Sequence, residues 1–440
     1  MNFFNEKEKK VNNTFVTKLT MIAGKISNNK YIAAIRDAFA NTIPITITAA
    51  FFLLVNNVLL DPKTGFIKNM PGADFIRNVG TQAYNGTLGI LGLLVTFMIG
   101  AKLAKEFKFD EVIAGIVSVG SFIALIPNVI TTATTTGSNV KITAALTQVQ
   151  TSASSMILGI LAALIGTRLL IMFNTVDRLK IRMPESVPPG VAKAFNALFP
   201  SFITITIFSI IEETTLTLTG MPVPDLISKL LQAPLVGGFQ TLPGILLYVF
   251  LSTSVFIFGI HGAFVFGAIS EPILLSALQQ NIDAIKLGHA APNMVTQPFL
   301  DAFVYMGGGG TMICLVIALL IFSKRPDERL ISKIGGVPSL FNISEPIMFG
   351  LPIVFNPMYA IPFIVTPMVS ATIAYICTSL HWINPTYIFI PWVTPPIISG
   401  YLATSGDIRA SIMQAVIIVI GVLIYAPFVL ASNKLQKNKE

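Results

Sequence analysis

The chain has 440 residues, of which 53% are hydrophobic and only 11% charged, less than half the roughly 25% charged of soluble domains. A soluble globule would leave too much of that surface in water, and disorder requires low hydrophobicity, so both classes are excluded. The 29 Lys+Arg outnumber the 21 Asp+Glu, a net +8; the excess sits at helix ends and forms no nucleic-acid stripe, which leaves a polytopic protein of the lipid bilayer.

Charged residues are missing from 38–60, 78–101, 112–140, 142–167, 230–270, 302–323, 346–406 and 410–433. An apolar helix needs about 20 residues to cross the hydrocarbon core, so 230–270 and 346–406 have room for two or more crossings each. With short loops about ten transmembrane helices fit, an all-α fold. Residues 1–30 carry Lys7, Lys9, Lys10, Lys18, Lys25 and Lys30 with no compact apolar core after them. They are expected to form a cytoplasmic segment, not a cleavable signal. Basic clusters recur at Lys102–Lys108, Arg168–Lys193, Lys324–Lys333 and Lys434–Lys439, whereas 131–150 and 219–242 hold one Lys each. The positive-inside rule therefore puts both termini in the cytoplasm. The first five crossings are expected at about 38–60, 84–104, 111–130, 151–173 and 195–218.

Residues 219–242 differ. Pro222, Pro224 and Pro234 bracket a short amphipathic piece, DLISKLLQ, expected as an interfacial connector between two halves. Beyond it the apolar runs are broken by Gly, Pro, Asn and His. Interrupted helices are tolerated only where the freed backbone faces protein or a watery cavity, so 243–440 is the expected working half. Ile-Ser-Glu-Pro occurs at 269–272 and again at 343–346. Each copy sets a carboxylate before a proline able to start a helix. Two related re-entrant hairpins would explain the echo, and so would chance in an apolar-biased chain.

An ionisable group in an apolar run costs about 2.5–3.5 kcal/mol on insertion scales and needs a reason. Glu345 stands among Asn342, Ser344 and Pro346, just before the run 346–406. It is either a solvated carboxylate at a helix start or one in a polar cavity that accepts hydrogen bonds from a polyhydroxylated ligand. His261 has Gly259 and Gly262 close by, a pattern for a bend with close backbone approach; a buried, satisfied histidine is the alternative. His289 is expected in an aqueous loop and His381, beside Trp382, at the interface. Gly307–Gly310, next to Asp301 and Tyr305, reads as close helix packing or as a bent backbone along a substrate path. It is no phosphate loop, because no Gly-Lys-Ser/Thr follows. Arg36 and Asp37 are expected as an interfacial ion pair. Glu212 and Glu213 fit interfacial solvation, with an ion path as the alternative. Cys314 and Cys377 lie in apolar runs as structural thiols. No Cys/His metal spacing is present, and neither a metal nor a cofactor is expected.

Five segments in order carry a resemblance: IRDAFANTIPITITAAFFLLV (35–55), FGIHGAFVFG (258–267), PFLDAFVYMGGGGTM (298–312), FNISEPIMFGLPIVFNP (341–357) and IPWVTPPIISGYLATSGD (390–407). The chain resembles the membrane component, enzyme IIC, of the bacterial phosphoenolpyruvate-dependent sugar phosphotransferase system, in its lactose/cellobiose/diacetylchitobiose group. The resemblance covers essentially the whole chain. It implies a five-helix scaffold and dimerisation half at 31–218, the connector at 219–242, and a sugar-binding transport half with two re-entrant hairpins at 243–440. It also implies that His261 and Glu345 contact the sugar, with Glu345 near the hydroxyl to be phosphorylated. Asn342, Asp301 and Trp392, within the same segments, complete the expected substrate-binding set. The chain departs from the family pattern at Ser344, often Asn, and at Val255–Phe258, where a Trp is common and sugar stacking would fall to Phe.

The expectation is therefore a permease of the bacterial cytoplasmic membrane. It binds a β-linked, cellobiose-like disaccharide outside and presents it inside to a phosphocysteine-bearing enzyme IIB, with IIA upstream. The donor cysteine is expected on another chain, and Glu345 as the general base. An ion-coupled secondary transporter is the alternative, which uptake driven by an ion gradient alone would favour. A membrane receptor is a third reading, against which the polar residues spread through the second half argue.

Overall fold

The computed structural model describes residues 29–437 except 63–64, 66, 128, 134–138, 182, 185, 352 and 354–355. The expected cytoplasmic segment 1–30 lies outside the described residues but for its last two. Helix accounts for 74% of the described residues. In chain order the principal helices are α1 (Lys30–Leu54), α2 (Ala73–Asn85), α3 (Leu91–Glu106), α4 (Glu111–Ala124), α5 (Met156–Asn174), α6 (Leu198–Thr219) and α7 (Leu242–Ile257). They continue with α8 (Gly262–Lys286), α9 (Met312–Phe322), α10 (Pro326–Leu340), α11 (Glu345–Gly350), α12 (Pro357–Ser379), α13 (Ile398–Ala403) and α14 (Ile408–Lys437). One antiparallel hairpin, β1 (Val129–Ala133) and β2 (Asn139–Thr143), pairs Val129 with Thr143 and Ala133 with Asn139. It begins inside the expected crossing 111–130, whose helix ends at Ala124.

Among the described residues, six helical stretches are long and apolar enough to cross a membrane: Lys30–Leu59, Ala73–Glu106, Ala153–Asn174, Pro189–Thr219, Met358–Ser379 and Ile408–Lys434. The bent pair Val223–Phe239 and Leu242–Ile257 makes a seventh if it is one span. Helices α4 and α9 are apolar but have 14 and 11 residues, about 21 and 16 Å. The chain is an all-helical multi-pass protein with one small hairpin. The piece DLISKLLQ is not isolated: it runs through Val223–Ile227, a π-turn at Ser228–Gln232 and Ala233–Phe239.

The two Ile-Ser-Glu-Pro copies part company here. The second starts α11 at Glu345. The first does not start a helix, contrary to the sequence expectation: Pro272 sits inside the 25-residue α8. Val265, Ala268, Ile273 and Leu274 are buried on both sides of it. Tertiary packing thus carries the helix through the carbonyl that loses its partner to proline.

By packing, the chain forms two compact units, one of Asn29–Thr48 with Gln82–Val236 and one of Ala49–Thr81 with Gly237–Glu440. The sequence boundaries 31–218, 219–242 and 243–440 and these packing units are different partitions of the chain. In the first unit α3, α4 and α5 pack together through small residues. Asp110 caps α4, its Oδ1 accepting from Val112 N and Ile113 N, both at 3.1 Å. Ser118 Oγ lies 3.1 Å from Thr167 Oγ1 across α4 and α5. A Cβ on Gly100 would overlap Ser118, and one on Gly159 would overlap Thr96 Oγ1. Small residues let membrane helices approach this closely, where dispersion and short hydrogen bonds replace the hydrophobic effect.

In the second unit α9 packs on α10 and α14, and α12 packs on α7 and α14. Cys314 of α9 is buried against Gly421 of α14. Helix α10 is amphipathic in an unusual sense. Its inward residues are Glu328, Ser332, Gly335 and Ser339, all buried, while Leu330, Ile334, Val337 and Leu340 are exposed. The exposed apolar stripe is edged near the helix start by the likewise exposed Arg329 and Lys333.

The α3–α5 contact gives a stability prediction. Gly159→Ala should destabilise the protein by about 1–3 kcal/mol, read as a lower melting temperature in detergent. Adding Thr96→Ala should restore most of the loss, because the remaining neighbours of that Cβ are Gly92 O at 3.4 Å and Thr96 Cβ at 3.6 Å. An unchanged melting temperature in the single variant would show the contact to be slack.

Candidate functional site

His261 stands in a break between two helices. Helix α7 ends at Ile257, and Gly259 at φ +81° turns the chain, its N–H donating to Phe256 O at 2.9 Å. His261 has extended backbone, φ −61° and ψ 117°, as the residue before α8. That keeps its imidazole off the helix. A Cβ on Gly262 would overlap Ser252 O of α7, so glycine is what lets α8 begin this close to α7. The imidazole packs on Phe256 with ring centroids 4.5 Å apart, and Phe256 meets Phe363 of α12 edge-on at 5.8 Å. His261 Nε2 lies 3.8 Å from Glu345 Oε1, with both side chains partly exposed, 33% and 47%. This is longer than a hydrogen bond, and one hydroxyl placed beside the pair can bond to both.

Glu345 reaches that place through the turn that ends α10. Asn342 N donates to Ser339 O at 3.1 Å and Ile343 N to Pro338 O at 3.1 Å. The residue in the left-handed conformation is Asn342, at φ +60°. This is a Schellman ending, in which glycine is usual at the left-handed position and Asn the next choice. Asn342 Oδ1 accepts from Gly307 N at 2.7 Å, and its Nδ2 donates to Trp392 O at 2.5 Å and Thr394 O at 3.2 Å.

The glycine run is a bend, not a packed helix. Gly307, Gly308 and Gly310 have φ of +82°, +94° and +74°. A Cβ at Gly308 would sit 2.7 Å from Ser344 Cβ and 2.8 Å from Asn342 O, one at Gly309 would sit 2.6 Å from the Phe256 ring, and one at Gly310 would overlap Phe363. The bend therefore touches both the Glu345 turn and the aromatic residue under His261. Side chains serve backbone carbonyls in it and next to it. Tyr425 OH donates to Gly310 O at 2.7 Å, and Thr311 Oγ1 to Val304 O at 2.8 Å. Just before it, Gln414 Nε2 donates to Ala302 O at 2.5 Å and to Ser399 Oγ at 2.8 Å, while its Oε1 accepts from Gly400 N at 2.8 Å.

Of the five expected binding residues, His261, Glu345, Asn342 and the Trp392 backbone come together. The Trp392 indole is exposed. Asp301 belongs to another polar group: it accepts from Gln297 Nε2 at 3.1 Å and has Glu271, Tyr248 and Tyr305 as electrostatic neighbours. Tyr425 and Gln414 escape a sequence reading, because an aromatic or amide in an apolar run shows no sign of what it touches. Elsewhere, Arg36 pairs with Asp37 at 2.9 Å. Buried Glu212 accepts from Val223 N at 2.9 Å, tying the start of the next helix, while Glu213 is exposed. His289 and His381 are exposed. Among the described residues no group of three or more His, Cys, Asp or Glu could hold a metal ion.

A family model described as "Phosphotransferase system, EIIC" matches residues 36–367. The chain belongs to this family. It is 33% identical over 428 residues to the oligo-beta-mannoside-specific EIIC component of Bacillus subtilis, covering 96% of this chain and 94% of that one. It is 31% identical to the cellobiose-specific EIIC component of Lactococcus lactis, over 96% and 97% of the two chains. The solved structure of the transporter ChbC, the IIC component of an N,N'-diacetylchitobiose-specific phosphotransferase system, is similar with a TM-score of 0.89 and 29% identity. That likeness covers 96% of this chain and 97% of ChbC.

In this EIIC chain the unwound backbone near the His261–Glu345 pair is thus held in part by side chains of α14. Tyr425→Phe keeps the buried ring and leaves Gly310 O unpaired, at a cost of about 1–3 kcal/mol. The expected reading is a clear fall in melting temperature in detergent. No fall would mean that the bend does not depend on that hydroxyl.

Proposed function

We propose that this EIIC chain is a permease for a β-linked disaccharide that couples translocation to phosphorylation. The observation that carries this reading is the His261–Glu345 pair, 3.8 Å apart at a helix break, in a chain of the EIIC family. Relatives named for oligo-beta-mannosides, lichenan and cellobiose support a β-linked sugar. In this reading His261 and Glu345 bond the sugar's hydroxyls, the exposed Trp392 offers a ring face, and Asp301 takes hydroxyls at a further position; Phe256, 4% exposed, is packed under His261 and is not available for the stacking expected of a Phe at 255–258.

The sugar enters from outside, and the half at 243–440 presents it to the cytoplasm. The half at 31–218 forms the scaffold of a homodimer. About ten crossings with two re-entrant hairpins and both termini cytoplasmic complete the topology. The exposed apolar stripe Leu330, Ile334, Val337 and Leu340 supports a re-entrant arm formed by α10 and α11. At the inner face the sugar hydroxyl oxygen attacks the phosphorus of a phosphocysteine on enzyme IIB, itself charged by IIA. The sulfur–phosphorus bond breaks, the thiolate stays on IIB, and the hydroxyl proton passes to the Glu345 carboxylate. Cys314 is buried at an α9–α14 contact, which supports a donor on another chain.

Uptake of cellobiose, lactose, N,N'-diacetylchitobiose and mannobiose by cells lacking only this gene tests the reading; loss of none of them would overturn it. Glu345→Gln should abolish phosphorylation of the accepted sugar by membrane vesicles supplied with the phosphocarrier proteins, because an amide cannot take the proton. Full activity would remove Glu345 from the base role.

His261→Ala should weaken binding of that sugar to the purified protein about ten- to hundredfold, the effect of about 1–3 kcal/mol for losing a hydrogen bond in a desolvated site. Gln in its place should recover part of the loss. An unchanged dissociation constant would take His261 out of the sugar site.

A further inference from the structure

We propose that Asn342 is a positioning residue and not a sugar ligand: its amide ties the end of α10 to the glycine bend and to the Trp392 loop, fixing where Glu345 and Trp392 stand. A helix ending with a left-handed residue asks only for tolerance of positive φ, which glycine supplies best. Asparagine at φ +60° meets that need less well, so its side chain has a use of its own.

Its hydrogen-bonding capacity is nearly all committed. An amide has two N–H donors and an oxygen with two lone pairs. Its nitrogen donates to both Trp392 O and Thr394 O, and its oxygen accepts from Gly307 N. A sugar hydroxyl would have to compete with these three backbone groups for the amide. The three groups it serves all lie on irregular backbone, where no helix or sheet partner exists and an unpaired group at membrane depth is costly. Glu345 follows three residues later on the same turn. One side chain thus registers three segments against each other: the turn that aims Glu345, the bend under Phe256, and the loop that presents Trp392.

The proposal rests on the functional reading only for the part that involves sugar, and the experiment separates the two. In a Trp382→Phe background, Trp392 is the only tryptophan of the chain's two. Asn342→Gly keeps the backbone conformation and removes every tie. Asn342→Asp keeps the acceptor for Gly307 N and removes both donors to the loop. Both should increase acrylamide quenching of Trp392 and shift its emission, with no sugar present. Unchanged quenching and emission in both variants would overturn the proposal. The second arm is a cycle with the accepted disaccharide of the panel, cellobiose first. Asn342→Gly and Trp392→Ala should each weaken binding about tenfold, with the double variant within about threefold of the weaker single, since neighbours that act as a unit do not add. A fully additive loss of about a hundredfold would mean that Asn342 acts on the sugar independently and would overturn the proposal. If Trp392→Ala alone leaves binding unchanged, the sugar contact at Trp392 is overturned, and the sugar-free quenching decides Asn342.

Discussion

A backbone amide or carbonyl placed at membrane depth must find its partner within the protein, because no water is there to take it. In the second unit this constraint decides which residues can stand where. The chain is unwound at 258–261, 305–311, 341–344 and 380–397, and each unwound stretch needs donors and acceptors from its neighbours. Tyr425 and Asn342 provide them for Gly310, Gly307, Trp392 and Thr394, while Gln414 and Thr311 bond the carbonyls of Ala302 and Val304 just before the glycine bend. His261 and Glu345 are free to face each other because both flank a helix start instead of lying on a helix face. A functional pair at helix breaks is possible only once the breaks are satisfied from elsewhere.

The glycines are the other side of the same constraint. Gly262, Gly308, Gly309 and Gly310 are each pressed against a neighbouring segment where a Cβ would overlap or crowd. The cost of a helix interrupted by glycines is offset by bringing α7, α8, the bend and the Glu345 turn within contact distance. Phe256 shows the result. Its ring is shared between the imidazole of His261, the edge of Phe363 and the open face of Gly309. One aromatic side chain then couples the positions of three segments.

Much of this was legible in the sequence. Charge-free runs located the early helices: the expected crossings 151–173 and 195–218 correspond to Met156–Asn174 and Leu198–Thr219. His261 between glycines and Glu345 before a proline announced helix breaks, and both are breaks. The glycine run left two readings open, and positive φ at three of its residues decides for the bend. Local pattern misled where tertiary packing outweighs it. Glu271-Pro272 looks like Glu345-Pro346, yet buried apolar neighbours hold α8 intact through the first. Asp301 sits in a segment beside the glycine run, but its bonded partner is Gln297, one turn earlier. Neither outcome is written in spacing, because each depends on what packs against the segment from far along the chain. The same holds for Glu212, whose carboxylate serves a backbone N–H eleven residues on.

Helix α10 shows how the two kinds of polar anchor combine. Near its start, Glu328 is 2% exposed and accepts from Ser323 Oγ at 2.6 Å, Tyr359 OH at 3.0 Å and Ser432 Oγ at 2.6 Å, with Arg325 Nη1 at 3.4 Å. A buried carboxylate is tolerable only with such a full set of partners. These partners come from the end of α9, from α12 and from α14, so the start of α10 is locked to three helices. Its far end is held by the amide of Asn342. Between them the inward face is small: Ser332, Gly335 and Ser339, with Gly335 pressed on Ile347 of α11. A small face lets a neighbouring side chain seat deeply, as Ile347 does against Gly335. The position of α10, and with it the reach of Glu345 toward His261, is therefore set by hydrogen bonds at its two ends together with this close seating between them.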